Sequence, residues 1–376
     1  MDKLLLNSLM IQQFRGFKDL QIQQLGRVNL IVGKNNVGKS SLLDALQIYV
    51  YRGFPTILWQ MLDAHDEGVR SRRNNKIYDR DDEDPLLAVK YLFYGREDIK
   101  STSKAIHIGP IASPNETLSL SIEFFYSKAD EEGKISLQPA LFEELDVAEG
   151  PIPRFSVKYG QKNRSSTYPI TSSYPRILRG ESGEVNCVSI NSNGLGKTKI
   201  GTLWDQIALT DHEREVLNAL KIIAPGVEAI SIVGDPQSVR ARYTIVKVAG
   251  IREPLPIRSL GDGMQRVLGI ALALVNAENG ILLIDEVENG LHYSAHADIW
   301  KLIFHIAHKL NIQVFATTHS WDSVVAFQQA SQQNCDEGFS DDAFLVRLEN
   351  RNGDIGATIF DEQQLQIATR EQIEVR

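Results

Sequence analysis

Apolar residues in this chain gather into short, nearly continuous runs, separated by polar turns and interleaved with stretches of helical period. Residues 4–11 read as a strand. Val28-Asn29-Leu30-Ile31-Val32 is almost wholly apolar, the pattern of a central strand buried on both faces. A glycine-rich turn follows. A helix is then predicted from about Lys39 to Val50, with Leu42, Leu43, Ala45, Leu46 and Ile48 apolar. The last third repeats this alternation: a helix over 264–275, a buried strand over 281–284, a helix over 295–309 and a strand over 312–316. Between these ends the pattern changes. Residues 117–126, 154–159 and 185–190 alternate and are punctuated by Pro and Gly, which predicts an antiparallel section. A helix over 212–222 precedes strands at 229–233 and 243–248. Residues 63–84 are charged and irregular, with Arg70, Arg72 and Arg73 ahead of Asp79, Asp81, Asp82, Glu83 and Asp84, as in an exposed loop or insertion. No repeat is visible, and no heptads are sustained between residues 50 and 260, so a long coiled-coil arm is not expected.

At 376 residues the chain admits two units or one large α/β domain with an insertion. We read one composite domain, 1–376. Its parts are 1–58 and 266–376, the two portions of a mixed-sheet core flanked by helices; 59–200, an insertion with antiparallel strands; and 201–265, a smaller helical and β lobe. The 48 acidic against 40 basic residues argue against a surface coated for nucleic acid, although a local basic groove stays open. Two cysteines, Cys187 and Cys335, make no disulfide framework and fit a reducing compartment. The opening Met1-Asp2-Lys3-Leu4 lacks the apolar run of a signal peptide. Nothing approaches the ~20 apolar residues of a membrane span, so the expected location is the cytoplasm, without membrane partners.

Three motifs carry chemistry. Gly33-Lys34-Asn35-Asn36-Val37-Gly38-Lys39-Ser40 fits the phosphate-loop pattern G-x-x-x-x-G-K-[ST]. Its glycines let backbone N–H groups curl around phosphate, and the helix behind points its positive end at the same anion. The residues expected at nucleotide are Asn35, Asn36, Gly38, Lys39, Ser40 and Ser41. Lys39 would reach the β- and γ-phosphates of ATP, and Ser40 would ligate Mg²⁺. The run 281–284 ends in Asp285-Glu286, two carboxylates beside the phosphate loop if the sheet is parallel. Asp285 is then placed to hold Mg²⁺, and Glu286 to act as general base on the attacking water. Finally, Phe315-Ala316-Thr317-Thr318 leads into His319, 319 − 285 = 34 residues after Asp285, which is room for one helix and a return. A neutral His319 could hydrogen-bond the γ-phosphate or the lytic water.

Other features read as structural. Asn191-Ser192-Asn193-Gly194-Leu195-Gly196-Lys197-Thr198 mimics a second phosphate loop but lacks the first glycine, and we expect a plain loop without a strand–helix setting. His292 with His296, and His305 with His308, lack the further ligands of a zinc site.

The order of phosphate loop, Leu260-Gly261-Asp262-Gly263-Met264, acidic strand and histidine resembles the ABC-type ATPases. The finer resemblance is to the OLD-like (overcoming lysogenization defect-like) ATPases of phage defence. It is carried by Phe14-Arg15-Gly16-Phe17-Lys18-Asp19-Leu20, by the Asn35-Asn36 pair, by Asp285-Glu286-Val287-Glu288-Asn289-Gly290-Leu291-His292, and by Ala316-Thr317-Thr318-His319-Ser320. Residues 55–200 match only loosely. The resemblance implies an ABC-type P-loop head that dimerises, or forms a higher assembly. Gly261, Asp262 and Gly263 would cap a γ-phosphate held by the other subunit. The family's serine is replaced by Gly261, with Ser259 two positions earlier, which leaves backbone contacts to do this. Arg15 resembles the arginine that touches nucleotide in related coiled-coil repair ATPases, Gln265 and Arg266 begin the helix and are expected to face the partner's nucleotide, and residues 288–291 match the place where related proteins make subunit contacts. The family's glutamine has no clear place; Gln161 is one candidate. OLD proteins carry a TOPRIM nuclease domain. Only 57 residues follow His319 here, so a nuclease or toxin effector is expected on a separate polypeptide. A RecF-like ATPase of DNA repair stays open as the alternative; a metabolic kinase using the same loop is disfavoured, because the signature and the histidine would then be coincidental.

Overall fold

The computed structural model describes residues 4–68, 85–99, 104–129, 135–140, 151–160, 165–170, 185–235, 238–336 and 342–375. Its centre is a six-stranded sheet in the order Asp354–Phe360, Ala343–Arg351, Val28–Val32, Gln313–Thr317, Ile281–Ile284 and Cys187–Ile190. Every pairing is parallel except that of the hairpin 343–360. Three of the four inner strands, Val28–Val32, Gln313–Thr317 and Ile281–Ile284, are buried along their whole length. That is why they read as unbroken apolar runs: helices cover one face, and a helix backed by a second sheet covers the other.

Alternation along these strands divides the interior in two. Val28, Leu30, Val32, Leu282 and Ile284 point to a core built with the helices Lys197–Ile207, Asp211–Ile223, Asp262–Asn276, His296–Lys309, Trp321–Asp336 and Glu362–Arg370. Ile31, Ile281, Leu283 and Phe315 point to the opposite core. There they meet Leu42, Leu43, Ala45, Leu46 and Ile48 of the helix Lys39–Val50, which is clamped between the parallel sheet and an antiparallel sheet. The antiparallel sheet runs Phe17–Ile22, Leu9–Phe14, Ile106–Gly109, Leu118–Ala129, Ile152–Tyr159 and Ser166–Pro169, with Ile135–Pro139 paired to Leu118–Ala129. A small sheet, Val227–Asp235, Ser238–Val248 and Leu255–Pro256, packs with the helices of the first core.

The expected α/β class, with a mixed sheet, an antiparallel section and a helical lobe, is the one observed. Four details differ. The first strand lies at Leu9–Phe14 rather than 4–11, and it pairs inside the antiparallel sheet. Residues 185–190, expected in the antiparallel section, supply instead the edge strand Cys187–Ile190 of the parallel sheet. Short alternation cannot disclose which neighbour a strand will pair with. The mimic loop therefore does have a strand before it and a helix after it. The C-terminal hairpin Ala343–Arg351 and Asp354–Phe360 completes the central sheet and was not anticipated. The arginines at 70, 72 and 73, the acidic run to Asp84, and Gln161 lie outside the described residues. Among the described residues no helix is long and apolar enough to cross a membrane.

Candidate active site

Three adjacent parallel strands end at the same edge, and each delivers part of one cluster. Val28–Val32 runs into the glycine loop. Gly33 has φ +146°, Asn36 +63° and Gly38 +95°. A side chain at Gly33 would meet the Leu348 carbonyl at 2.5 Å, and one at Gly38 would meet the Phe17 ring at 2.9 Å. Both glycines are thus required twice over, by backbone conformation and by close approach. Gly38 caps the helix Lys39–Val50 without using a side chain, so its first N–H groups stay aimed out of the helix end. Lys34, Asn35 and Asn36 are exposed; Lys39, Ser40 and Ser41 are half-buried. Lys39 Nζ turns back to donate to the carbonyls of Gly33 at 2.8 Å and Lys34 at 3.2 Å. Burial pushes its ammonium group down from the ordinary range, against the pull of Glu286, Asp285 and Glu288.

The acidic strand lies beside this loop. Ser40 Oγ donates to Asp285 Oδ2 at 3.0 Å, across 245 residues of sequence. Thr317 Oγ1, at the end of the next strand, donates to Asp285 Oδ1 at 2.6 Å and accepts the Glu286 N–H at 2.8 Å. Glu286 holds φ +48°, unusual for a residue with a side chain and a mark of a backbone constrained by its surroundings. Its carboxylate accepts from Asn289 Nδ2 at 2.6 Å and lies 3.6 Å from His319 Nδ1. Lys39, Ser40, Asp285, Glu286 and His319, predicted from separate motifs, therefore share one site. A hydroxyl and a carboxylate oxygen meeting at 3.0 Å are hard oxygen donors, and they suit Mg²⁺ held jointly by protein and nucleotide phosphates.

Four residues of this site were missed or misjudged. Thr317, Glu288 and Asn289 make the contacts that aim the predicted groups: Thr317 was signalled only by a polar pair ending an apolar strand, and Glu288 and Asn289 were read as subunit contacts. Arg266 was expected to face a partner. It is buried instead, donating to the carbonyls of Asn191 at 3.1 Å, Asp285 at 2.9 Å and Glu286 at 2.7 Å. The physical reason is the helix Asp262–Asn276, which is buried on every side after its first turn, so Arg266 has no outward face. Burial pushes its guanidinium down, opposed by Glu288, Asp285 and Glu286. Gln265 accepts instead from Arg258 at 2.8 Å.

The remaining predicted residues stand apart from this cluster. Gly261, at φ +99°, and Asp262 are exposed at the start of that helix. Gly263 lies against the Gly290 carbonyl, 3.2 Å from where a Cβ would sit. Gly263 thus lies against the loop after the acidic strand. Arg15 is buried and ion-paired with Glu67 at 2.9 Å and Asp44 at 3.6 Å, Asp44 being one helical turn beyond Ser40. His65 also reaches Asp44, at 2.9 Å. Of the two histidine pairs, His292 Nδ1 accepts from Ser294 N at 3.4 Å, and His308 pairs with Asp342 at 2.9 Å.

Comparison with known proteins gives the family. Residues 5–200, 196 of the 376, match the AAA ATPase domain family. Residues 193–326 match an AAA domain family described as a proposed AbiEii toxin of a Type IV TA system. An ATP/GTP phosphatase of Helicobacter pylori is 25% identical over 359 residues, covering 88% of this chain and 89% of that protein. Among solved structures, an Smc head bound to the C-terminal winged-helix domain of ScpA aligns with TM-score 0.48 and 13% identity, over 96% of this chain and 99% of that one. The SMC head domain from Thermotoga maritima aligns with TM-score 0.44 and 12% identity, over 95% of this chain and 100% of that one.

Proposed function

The chain belongs to the AAA ATPase domain family, and from that premise we propose that it is an ATP-driven switch, closing head to tail with a second copy around nucleotide. The observation that carries this reading is the meeting of Lys39, Ser40, Asp285, Glu286 and His319 at the ends of three neighbouring strands. In it, the loop 33–40 cradles the triphosphate, and Lys39 exchanges its loop carbonyls for phosphate oxygens. Ser40 and Asp285 would hold Mg²⁺, which when bound neutralises charge on the phosphates. Glu286 takes a proton from water as the water oxygen attacks the γ-phosphorus. The bond to the bridging oxygen breaks, and ADP leaves with its electrons. His319 steadies the γ-phosphate.

Gly261 and Asp262 sit exposed at a helix N-terminus with Gly263 half-buried behind them, and the positive dipole end of that helix suits them to cap the nucleotide of the second copy. ATP then acts as adhesive and hydrolysis as release. The similarity of residues 193–326 to a family described in toxin–antitoxin terms supports a further step. On that step the dimer restrains or licenses a separate effector, a nuclease or toxin, as the ATPase of a phage-defence system.

Glu286→Gln tests the reading. Loss of a general base slows hydrolysis by about 10²–10⁴-fold. ATP binding survives, and light scattering finds an ATP-dependent dimer. Hydrolysis at the parent rate sinks the assignment. Purification of this trapped form together with the products of neighbouring genes then separates the functional classes. A bound nuclease or toxin supports defence, whereas ATP-dependent duplex DNA binding without an effector favours repair.

A further inference from the structure

We propose that Glu288 is a positioning residue that aims His319 and keeps it off the catalytic base, an inference that rests on His319 meeting the γ-phosphate. Glu288 is 8% exposed, and acidic side chains are almost never buried unless paired. Its pairing is lopsided. Oε1 accepts the His319 backbone N–H at 2.9 Å and also lies 3.2 Å from His319 Nδ1. Oε2 is buried with no hydrogen-bond partner. A carboxylate kept only for stability would be expected to satisfy both oxygens, since each unpaired one carries a desolvation cost. This one directs its paired oxygen at a single residue, twice.

The charge is compensated by its setting. Arg266 and Lys39, both cations, feel Glu288. His319 Nδ1 thus sits between two carboxylates, Glu288 at 3.2 Å and Glu286 at 3.6 Å. The nearer one takes the proton on Nδ1. That sets the tautomer and gives the nucleotide contact to the opposite edge of the ring, Nε2, because the two nitrogens of a neutral imidazole divide donor and acceptor roles. It also leaves the Glu286 carboxylate to Asn289 and the attacking water. Without Glu288, the Nδ1–H is left to turn to the Glu286 carboxylate, 3.6 Å away, and to occupy the oxygen that must accept the proton of water.

The test uses the full chain and four variants: Glu288→Ala, His319→Ala, the double variant and Glu288→Gln. Loss of a partner that orients a functional histidine costs roughly 10–100-fold, so Glu288→Ala lowers kcat by about that much. The double variant is then no slower than the slower single one, since Glu288 acts through His319. Nitrogen NMR of labelled His319 finds the proton on Nδ1 in the parent and displaced in Glu288→Ala. Multiplicative losses, or an unchanged tautomer in Glu288→Ala, overturn the proposal. Should Glu288→Ala fail to fold, Glu288→Gln carries the test. Its amide oxygen keeps the acceptor, so the Nδ1–H tautomer must persist, and a switched tautomer overturns the proposal. If His319→Ala itself hydrolyses ATP at the parent rate, the underlying assignment of His319 fails instead, a distinct outcome.

Discussion

The turns 33–40 and 191–198 invite comparison because each leaves a strand of the parallel sheet, ends in Gly-Lys-Ser or Gly-Lys-Thr, and enters a helix. In the first, Gly38 caps its helix at φ +95°, and Gly33 and Asn36 are also positive. In the second, Gly196 caps its helix at φ −66°, ψ 154°, an ordinary extended entry that any residue can make. Its carbonyls are spoken for: Asn191 O accepts from Arg266, and Ser192 O accepts from Asn289 at 3.2 Å. Asn289 in turn grips the Glu286 carboxylate. One turn therefore offers donors to an anion, while the other offers acceptors to the residues that brace the base. Asn36 and its counterpart Gly194 are both positive, at +63° and +82°, so similar letters diverge because the sign of φ differs at the two other positions, 33 against 191 and 38 against 196.

That contrast can be broken most forcefully at the lysines. Lys39→Ala should lower kcat/KM for ATP by about 10²–10³-fold, the usual cost of one preorganised donor to developing charge. Lys197 is exposed, and Lys197→Ala should stay within about twofold of the parent, as a surface change remote from substrate. Steady-state ATPase assays on both decide the matter, and a comparable loss at Lys197 would end the distinction.

A smaller effect is expected at the brace. Arg266→Leu strips three carbonyls of a charged donor and leaves the acids nearby less compensated. Denaturant unfolding should register a loss of about 2–4 kcal/mol. Stability unchanged within error would mean that water takes over those carbonyls and the second turn braces nothing.

The glycines give the finest measurement. Gly38→Ala must hold φ +95° with its Cβ 2.9 Å from the Phe17 ring, and should cost more than about 1 kcal/mol. Gly196→Ala meets nothing within 4 Å at an allowed φ, so it should be neutral or stabilising by up to about 1 kcal/mol. Equal costs in thermal or chemical unfolding would contradict the different backbone roles.

Much of this protein was legible in its sequence, for local reasons. A run such as Leu282-Leu283-Ile284 demands burial on both sides, a glycine at Gly33 or Gly38 permits what no other residue can, and paired acids at a strand end announce charge to be held. Strand Val28–Val32, helix Lys39–Val50 and strand Ile281–Ile284 therefore lie where the pattern put them. What the pattern could not decide was partnership. Cys187–Ile190 looks like any short alternating strand until it is paired with Ile281–Ile284. Glu288 looks like any acid until the next strand brings His319 to it, and Arg266 looks exposed until its helix is found buried all round. Hydrogen bonds spanning from 19 to 245 residues of chain set those roles, and such long closures are chosen by the packing of whole layers, to which periodicity along one segment is blind.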